Sequence, residues 1–255
     1  MSQQQPQLGL GLISIGRSWG ARPVPALDAD QAHEFLAAAY ALGLRCFDTA
    51  PSYGDSEGKL GRFLRELNRE QRGLVTVATK FGEHWDAEHG RPFIDHSYDA
   101  LCRSLDQSIQ RLGSIDLLQL HRTTPELLRS PEVARGWEFA LKAGIKQIGV
   151  SASNPDSATA ALDLGYGVIQ MPYNLARMDM APAFRTAAAR GVQLLINRPF
   201  QAGELLYETP PPGEQALFAH VLRVSFNGWV LTGTRSIDHL RANIAAFRAA
   251  LETSN

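Results

Sequence analysis

Four side chains that can hold or move a proton recur through the first half of this 255-residue chain. Asp48 and Tyr53 lie in F-D-T-A-P-S-Y-G, Lys80 ends V-A-T-K, and His121 ends L-L-Q-L-H. A tyrosine with its ordinary pKa near about 10 is a poor acid at neutral pH. An ammonium beside it would stabilise the phenolate and lower that value. Asp48 would keep the Lys80 ammonium charged and aimed, and His121 would hydrogen-bond to a substrate oxygen. Taken singly, each has a plainer use: a loop cap, a rim cover, a solvated charge, a structural imidazole. Their joint placement at the ends of successive strands points to one proton-handling site.

The strands that would deliver them are short apolar runs: Leu8–Ile15, Arg45–Thr49, Leu74–Lys80, Ile115–His121, Ile145–Ser151, Val168–Tyr173, Val192–Asn197 and Trp229–Gly233. Most are apolar on both parities, as expected of parallel strands covered on both faces. Helix-length stretches alternate with them. One runs from an Asp28 or Asp30 cap through Ala41; the others are Glu57–Leu67, Ser97–Leu112, Pro131–Ala143, Pro155–Leu164, Ala181–Arg190, Gly213–Ser225 and Ser236–Leu251. Several close on A-x-G, L-G or R-G, the glycine stop of a helix returning to a sheet. Eight strand–helix pairs without a dividing linker predict one α/β domain over residues 1–255, a (β/α)8 TIM barrel with short active-site loops. The alternative, a doubly wound open sheet, would want a G-x-G-x-x-G at a strand–helix turn, and none is present.

Composition narrows the function. A net charge of −1 gives no basic excess to hold a phosphate backbone, so no nucleic-acid partner is expected. No apolar run approaches the roughly 18 residues of a membrane span. The polar start M-S-Q-Q-Q-P-Q lacks a signal peptide's features, and a cytoplasmic location is the default expectation. Two cysteines outside any C-x-x-C pair fit a reducing compartment, with Cys46 a buried small hydrophobe. His84 and His89 in E-H-W-D-A-E-H-G lack the H-E-x-x-H spacing, so the stretch reads as a solvated loop and no metal is expected. Nothing demands a protein partner, and a monomer is the default.

The segments F-D-T-A-P-S-Y-G-D-S-E, V-A-T-K, I-D-L-L-Q-L-H, I-G-V-S-A-S, V-I-Q-M-P-Y-N and G-T-R-S-I-D-H-L-R-A-N-I resemble, in order, those of the aldo-keto reductase family. The resemblance implies NAD(P)H-dependent reduction of aldehydes or ketones to alcohols, and the reverse, on a small carbonyl or alcohol substrate. It implies Tyr53 as general acid, Lys80 paired with Asp48 tuning it, and His121 orienting the carbonyl. Ser151 and Gln170 are similar to residues that hold the nicotinamide carboxamide. Gly233, Thr234, Arg235, Ser236, His239 and Asn243 would receive the far end of the cofactor, at a helix start whose unpaired amides suit an anion.

Three departures from the family pattern matter. Ala152 stands where many members have Asn. No aromatic residue ends the seventh strand; Asn197 or Arg198 would lie there over or beside the nicotinamide ring, or Phe200 would replace the stack. His239 occupies a position that NADP-preferring members commonly fill with Arg, although Arg235 or Arg241 could reach a 2′-phosphate, so NADP(H) is preferred and NAD(H) remains open. An open, shallow pocket is expected, walled by Trp19, Phe81, Trp85 and Arg122. Two other functions stay open: a nucleotide-binding sensor with little turnover, and a lyase using Lys80 as a Schiff-base amine.

Overall fold

The computed structural model describes residues 5–254; the polar start at Met1–Gln4 lies outside them. Eight parallel strands close into a barrel: β1 (Gln7–Gly11), β2 (Cys46–Asp48), β3 (Thr76–Phe81), β6 (Leu117–Leu120), β7 (Gln147–Ser151), β8 (Val168–Pro172), β9 (Gln193–Asn197) and β10 (Gly228–Thr232). Two further strands, β4 (Glu83–Asp86) and β5 (Arg91–Ile94), pair antiparallel outside it. The ring order is β1-β10-β9-β8-β7-β6-β3-β2, each strand beside its sequence neighbour. Around the ring run α2 (Ala29–Ala41), α3 (Ser56–Leu64), α5 (Tyr98–Leu112), α6 (Pro131–Lys142), α7 (Pro155–Asp163), α8 (Ala181–Ala189), α9 (Glu214–Leu222) and α10 (Ile237–Ser254), with two short helices, α1 (Ile13–Gly16) and α4 (Arg69–Gly73). The expected barrel is what forms.

Local chemistry explains the helix starts. Asp28 accepts from the amides of Asp30 and Gln31, and the Asp28 amide in turn donates to Gln31 Oε1. Asn68, Ser130 and Asn154 cap α4, α6 and α7, the last two with proline in the first turn.

The barrel interior holds its own apolar layer. Cys46, Ala78, Leu117, Val168, Leu195 and Leu231 cluster together, each from a different strand. Cys46 is fully buried, and burial pushes its thiol well above the ordinary range, in keeping with a small core hydrophobe. Side chains two positions apart on a strand share a face. Asp48, Lys80, Gln119, Gln170, Asn197 and Gly233 each stand two residues beyond one of those six. The pleat therefore stacks them on the apolar floor, one layer nearer the C-terminal rim.

Three elements differ from expectation. The first strand stops at Gly11, and Ile13–Gly16 forms a helical turn with Ile15 buried. A short apolar run serves either conformation. The stretch around His84 and His89 is a hairpin rather than a solvated loop: His84 stacks on Phe93 with ring centroids 5.1 Å apart, while exposed His89 pairs with Asp86 at 2.7 Å. The second predicted helix, Glu57–Leu67, stops at Leu64 as α3, and α4 is a further short helix beyond it.

Candidate active site

The four proton-handling residues come from neighbouring strands. Asp48 ends β2, Lys80 lies near the end of β3, and His121 follows β6 directly; Tyr53 sits in the loop between β2 and α3. In the ring β2, β3 and β6 are adjacent, so residues far apart in sequence converge on one sector of the rim. A second close approach fixes Tyr53. A Cβ at Gly16 would stand 1.9 Å from the Tyr53 carbonyl oxygen, and one at Gly54, where φ is +65°, 2.3 Å from the Gly16 carbonyl. Only glycines let α1 and the Tyr53 loop meet this closely.

Lys80 is fully buried. Its Nζ donates to Asp48 Oδ1 at 2.8 Å, to Oδ2 at 2.7 Å and to the Thr49 carbonyl at 2.9 Å. It also stands 4.9 Å from the centroid of the Tyr53 ring. Burial works against the Lys80 charge, but Asp48 and Tyr53 outweigh it and raise the ammonium pKa. An amine so held is protonated and not nucleophilic, which removes the ground for a Schiff-base lyase. Asp48 is closed off by Gln119 and Gln170, whose amide nitrogens donate to its two oxygens at 3.1 Å each.

The phenol does not behave as the sequence suggested. Burial pushes the Tyr53 pKa above its ordinary value; Lys80 pulls it down and Asp48 pushes it up again. The ammonium thus limits the rise without reversing it, because desolvation acts on the phenolate and Asp48 spends part of the Lys80 field. The hydroxyl keeps its proton at neutral pH. His121 is nearly buried, and its ring meets Tyr53 edge-on with centroids 6.1 Å apart. Burial, then Lys80 and Arg122, hold its pKa well below 6.5, so the imidazole is neutral. Its Nδ1 stands 3.1 Å from Glu83 Oε2, close enough for charge contact but without hydrogen-bond geometry.

These groups open into a cavity of about 730 Å³ that continues from Asp48, Tyr53 and His121 to Ser236, His239 and Asn243. Ser151, Gln170, Asn197, Arg198, Gly233, Thr234 and Arg235 line it between them. Gln170 Oε1 and Asn197 Oδ1 are buried without a hydrogen-bond partner, an uncommon state that a ligand amide would relieve. Ala152 lines the wall, and Phe200, which also lines it, packs on Phe218 with centroids 4.8 Å apart. Asn243 is buried, its amide donating to Thr232 Oγ1 at 2.8 Å rather than facing water. At the far end Ser236 caps α10 at the His239 amide, Arg235 donates to the Pro25 carbonyl, and Arg241 pairs with Asp238 at 3.3 Å.

The expected substrate walls divide. Trp19 and Arg122 line the cavity. Phe81 does not: it is buried against Trp137, centroids 4.8 Å apart, because its parity on β3 is opposite to that of Lys80 and points to the helices. Trp85 lies outside the lining too, half-buried on the hairpin, with its ring centroid 5.4 Å from the Arg17 guanidinium carbon. Three lining or supporting residues escaped the sequence reading. Gln119 had a visible signal, an amide inside an all-apolar strand. Glu83 stands three residues beyond Lys80 but sat in what read as a loop. Arg17 followed a run taken for strand. Among the described residues no cluster of three or more His, Cys, Asp or Glu could hold a metal, and no helix is long and apolar enough to cross a membrane.

Known proteins share this fold. The chain is 28% identical to a solved aldo-keto reductase structure from Pseudomonas aeruginosa, with a TM-score of 0.80 over 97% of this chain and 91% of that one. It is 33% identical to pyridoxal 4-dehydrogenase of Microbacterium luteolum over 139 residues, 45% of this chain and 39% of the relative. Against aldo-keto reductase YhdN of Bacillus subtilis it is 32% identical over 183 residues, 68% of this chain and 52% of the relative. The matched part of the chain thus spans less than two thirds of the length of either relative. Residues 7–216 match the sequence model of the Aldo/keto reductase family, and the chain belongs to that family.

Proposed function

We propose that this barrel, acting as one domain, is an NAD(P)H-dependent oxidoreductase that reduces small aldehydes or ketones to alcohols and runs the reverse. One observation carries the reading: a protonated Tyr53 and a neutral His121 share a cavity wall, with Lys80 clamped to Asp48 behind the phenol. When bound, the nicotinamide cofactor supplies the hydride. Tyr53 delivers its proton to the carbonyl oxygen, and the Lys80 cation stabilises the phenolate that remains. His121 hydrogen-bonds to the same oxygen and fixes its position. Ser151, Gln170 and Asn197 hold the carboxamide; the orphaned acceptors on Gln170 and Asn197 match its N–H donors. The segment from Gly233 to Ser236, with His239 and Asn243, takes the other end. Arg235 donates to the neutral Pro25 carbonyl and joins no ion pair among the described residues, and this supports NADP(H) over NAD(H).

The test is turnover of benzaldehyde with NADPH and NADH, beside titration of each nucleotide. Tyr53→Phe should lose about 10²–10⁴-fold in kcat while binding the nucleotide as before. Nucleotide binding without turnover in the unmutated protein would instead support a sensor.

A further inference from the structure

Two arginines in the cavity wall, Arg17 and Arg198, join no ion pair among the described residues. Arg17 follows α1; its Nε is buried without a hydrogen-bond partner, and its guanidinium carbon lies 5.4 Å from the ring centroids of both Trp19 and Trp85. The two indoles fix the guanidinium by cation–π attraction and leave its N–H groups unmet. Arg198 stands 5.4 Å from the same Trp19 ring and, like Arg17, joins no ion pair among the described residues.

The acids nearby are committed. Glu83 Oε1 accepts from Arg122 Nε at 2.7 Å; its Oε2 accepts from Ser52 at 2.8 Å and faces His121. Asp48 is taken by Lys80, Gln119 and Gln170. Glu204 is felt by Arg198 but forms no ion pair with it. With Lys80–Asp48 and Arg122–Glu83 each neutral in sum, the reacting end of the cavity carries two guanidinium groups outside any ion pair among the described residues, Glu204 being the remaining acid that acts on Arg198. Burial pulls both guanidinium pKa values down, a cost that an anionic ligand would offset.

Position decides which anion. Arg17 is packed on the β4 hairpin that follows β3, beside Tyr53 and Glu83, whereas the far end of the cavity follows β10 on another sector of the ring. A charge bound at Arg17 lies next to the carbonyl, not at the distal end.

We infer that Arg17, with Arg198 at the same Trp19 ring, binds an oxyanion borne by the substrate, so that the preferred substrates are small aldehydes or ketones carrying a carboxylate or a phosphate. The inference rests on the reductase reading for the carbonyl, but the anion site stands on its own contacts.

Two matched pairs test it: 4-carboxybenzaldehyde against its methyl ester, and glyceraldehyde 3-phosphate against glyceraldehyde. The charged member of at least one pair should win in kcat/KM by about tenfold or more, the scale of one charge-assisted hydrogen bond. The winning pair tells carboxylate from phosphate. Arg17→Gln should bring the ratio to about one, and Arg17→Lys, which keeps the charge if the glutamine variant fails to fold, should retain part of it. Ratios near one in the unmutated protein, or a preference that survives Arg17→Gln, overturn the inference. If no aldehyde turns over, the reductase reading fails separately, and titration with benzoate or inorganic phosphate decides the anion site. Saturable quenching of tryptophan fluorescence that Arg17→Gln abolishes upholds it; no quenching from either anion overturns it.

Discussion

The Lys80 ammonium is held between both carboxylate oxygens of Asp48, at 2.8 and 2.7 Å, with both side chains essentially sealed from solvent. Neither charge would survive there alone. Removing one member of such a pair leaves an uncompensated buried ion and typically costs about 3–5 kcal/mol. Lys80→Met should therefore lower the urea midpoint strongly and abolish turnover. The double variant Lys80→Met with Asp48→Leu should regain most of the stability and none of the activity, because the pair serves chemistry more than folding. A double variant no more stable than the single one would show that the cost lies elsewhere.

Gly16 sets the height of the Tyr53 loop. An added methyl would meet the Tyr53 carbonyl at 1.9 Å, so Gly16→Ala must push that loop outward. A displacement of about 1 Å can cost on the order of 10²-fold in rate, while overpacking costs about 1–3 kcal/mol. We expect kcat/KM with benzaldehyde to fall at least about tenfold in protein whose circular dichroism is unchanged.

The buried imidazole of His121 predicts an acid sensitivity. Its folded pKa lies well below 6.5, and those of His96 and His220 are also lowered, all three first by burial. Below about pH 6.5 the unfolded chain therefore binds more protons than the folded one, and stability falls as pH drops toward the folded values. One such group contributes a slope of at most about 1.4 kcal/mol per pH unit. Urea midpoints measured from pH 7.5 to 5 should decline, and His121→Asn should make that decline shallower. An equal slope in the variant would remove His121 from the account.

Arg235 bears on cofactor choice. At the distal cavity end its hydrogen-bond partner is the neutral Pro25 carbonyl, whereas Arg241 is paired with Asp238. Arg235→Ala should raise KM for NADPH about tenfold, the scale of one lost charge-assisted bond, with a much smaller change for NADH. Equal changes for both nucleotides would place Arg235 away from the 2′ position.

The barrel and its proton-handling set were legible in the chain because both follow local rules. Alternating apolar runs and glycine stops determine parallel strands and returning helices, and a period of two fixes which residues share the inner face. Asp48, Lys80, Gln119, Gln170 and Asn197 reach one layer by that rule alone. Position along a strand could not say how strongly water would be excluded, so the direction of the Tyr53 shift was misjudged: desolvation is summed over everything that packs around a group. The outward turn of Phe81 follows from the same period of two, since it adjoins Lys80; the hairpin that buries Glu83 and the turn after Gly11 that aims Arg17 into the cavity do not, because tertiary packing sets them. Only the closed fold brings Gly16 against Gly54, or Trp19 and Trp85 around one guanidinium, since those contacts join segments with no common sequence period.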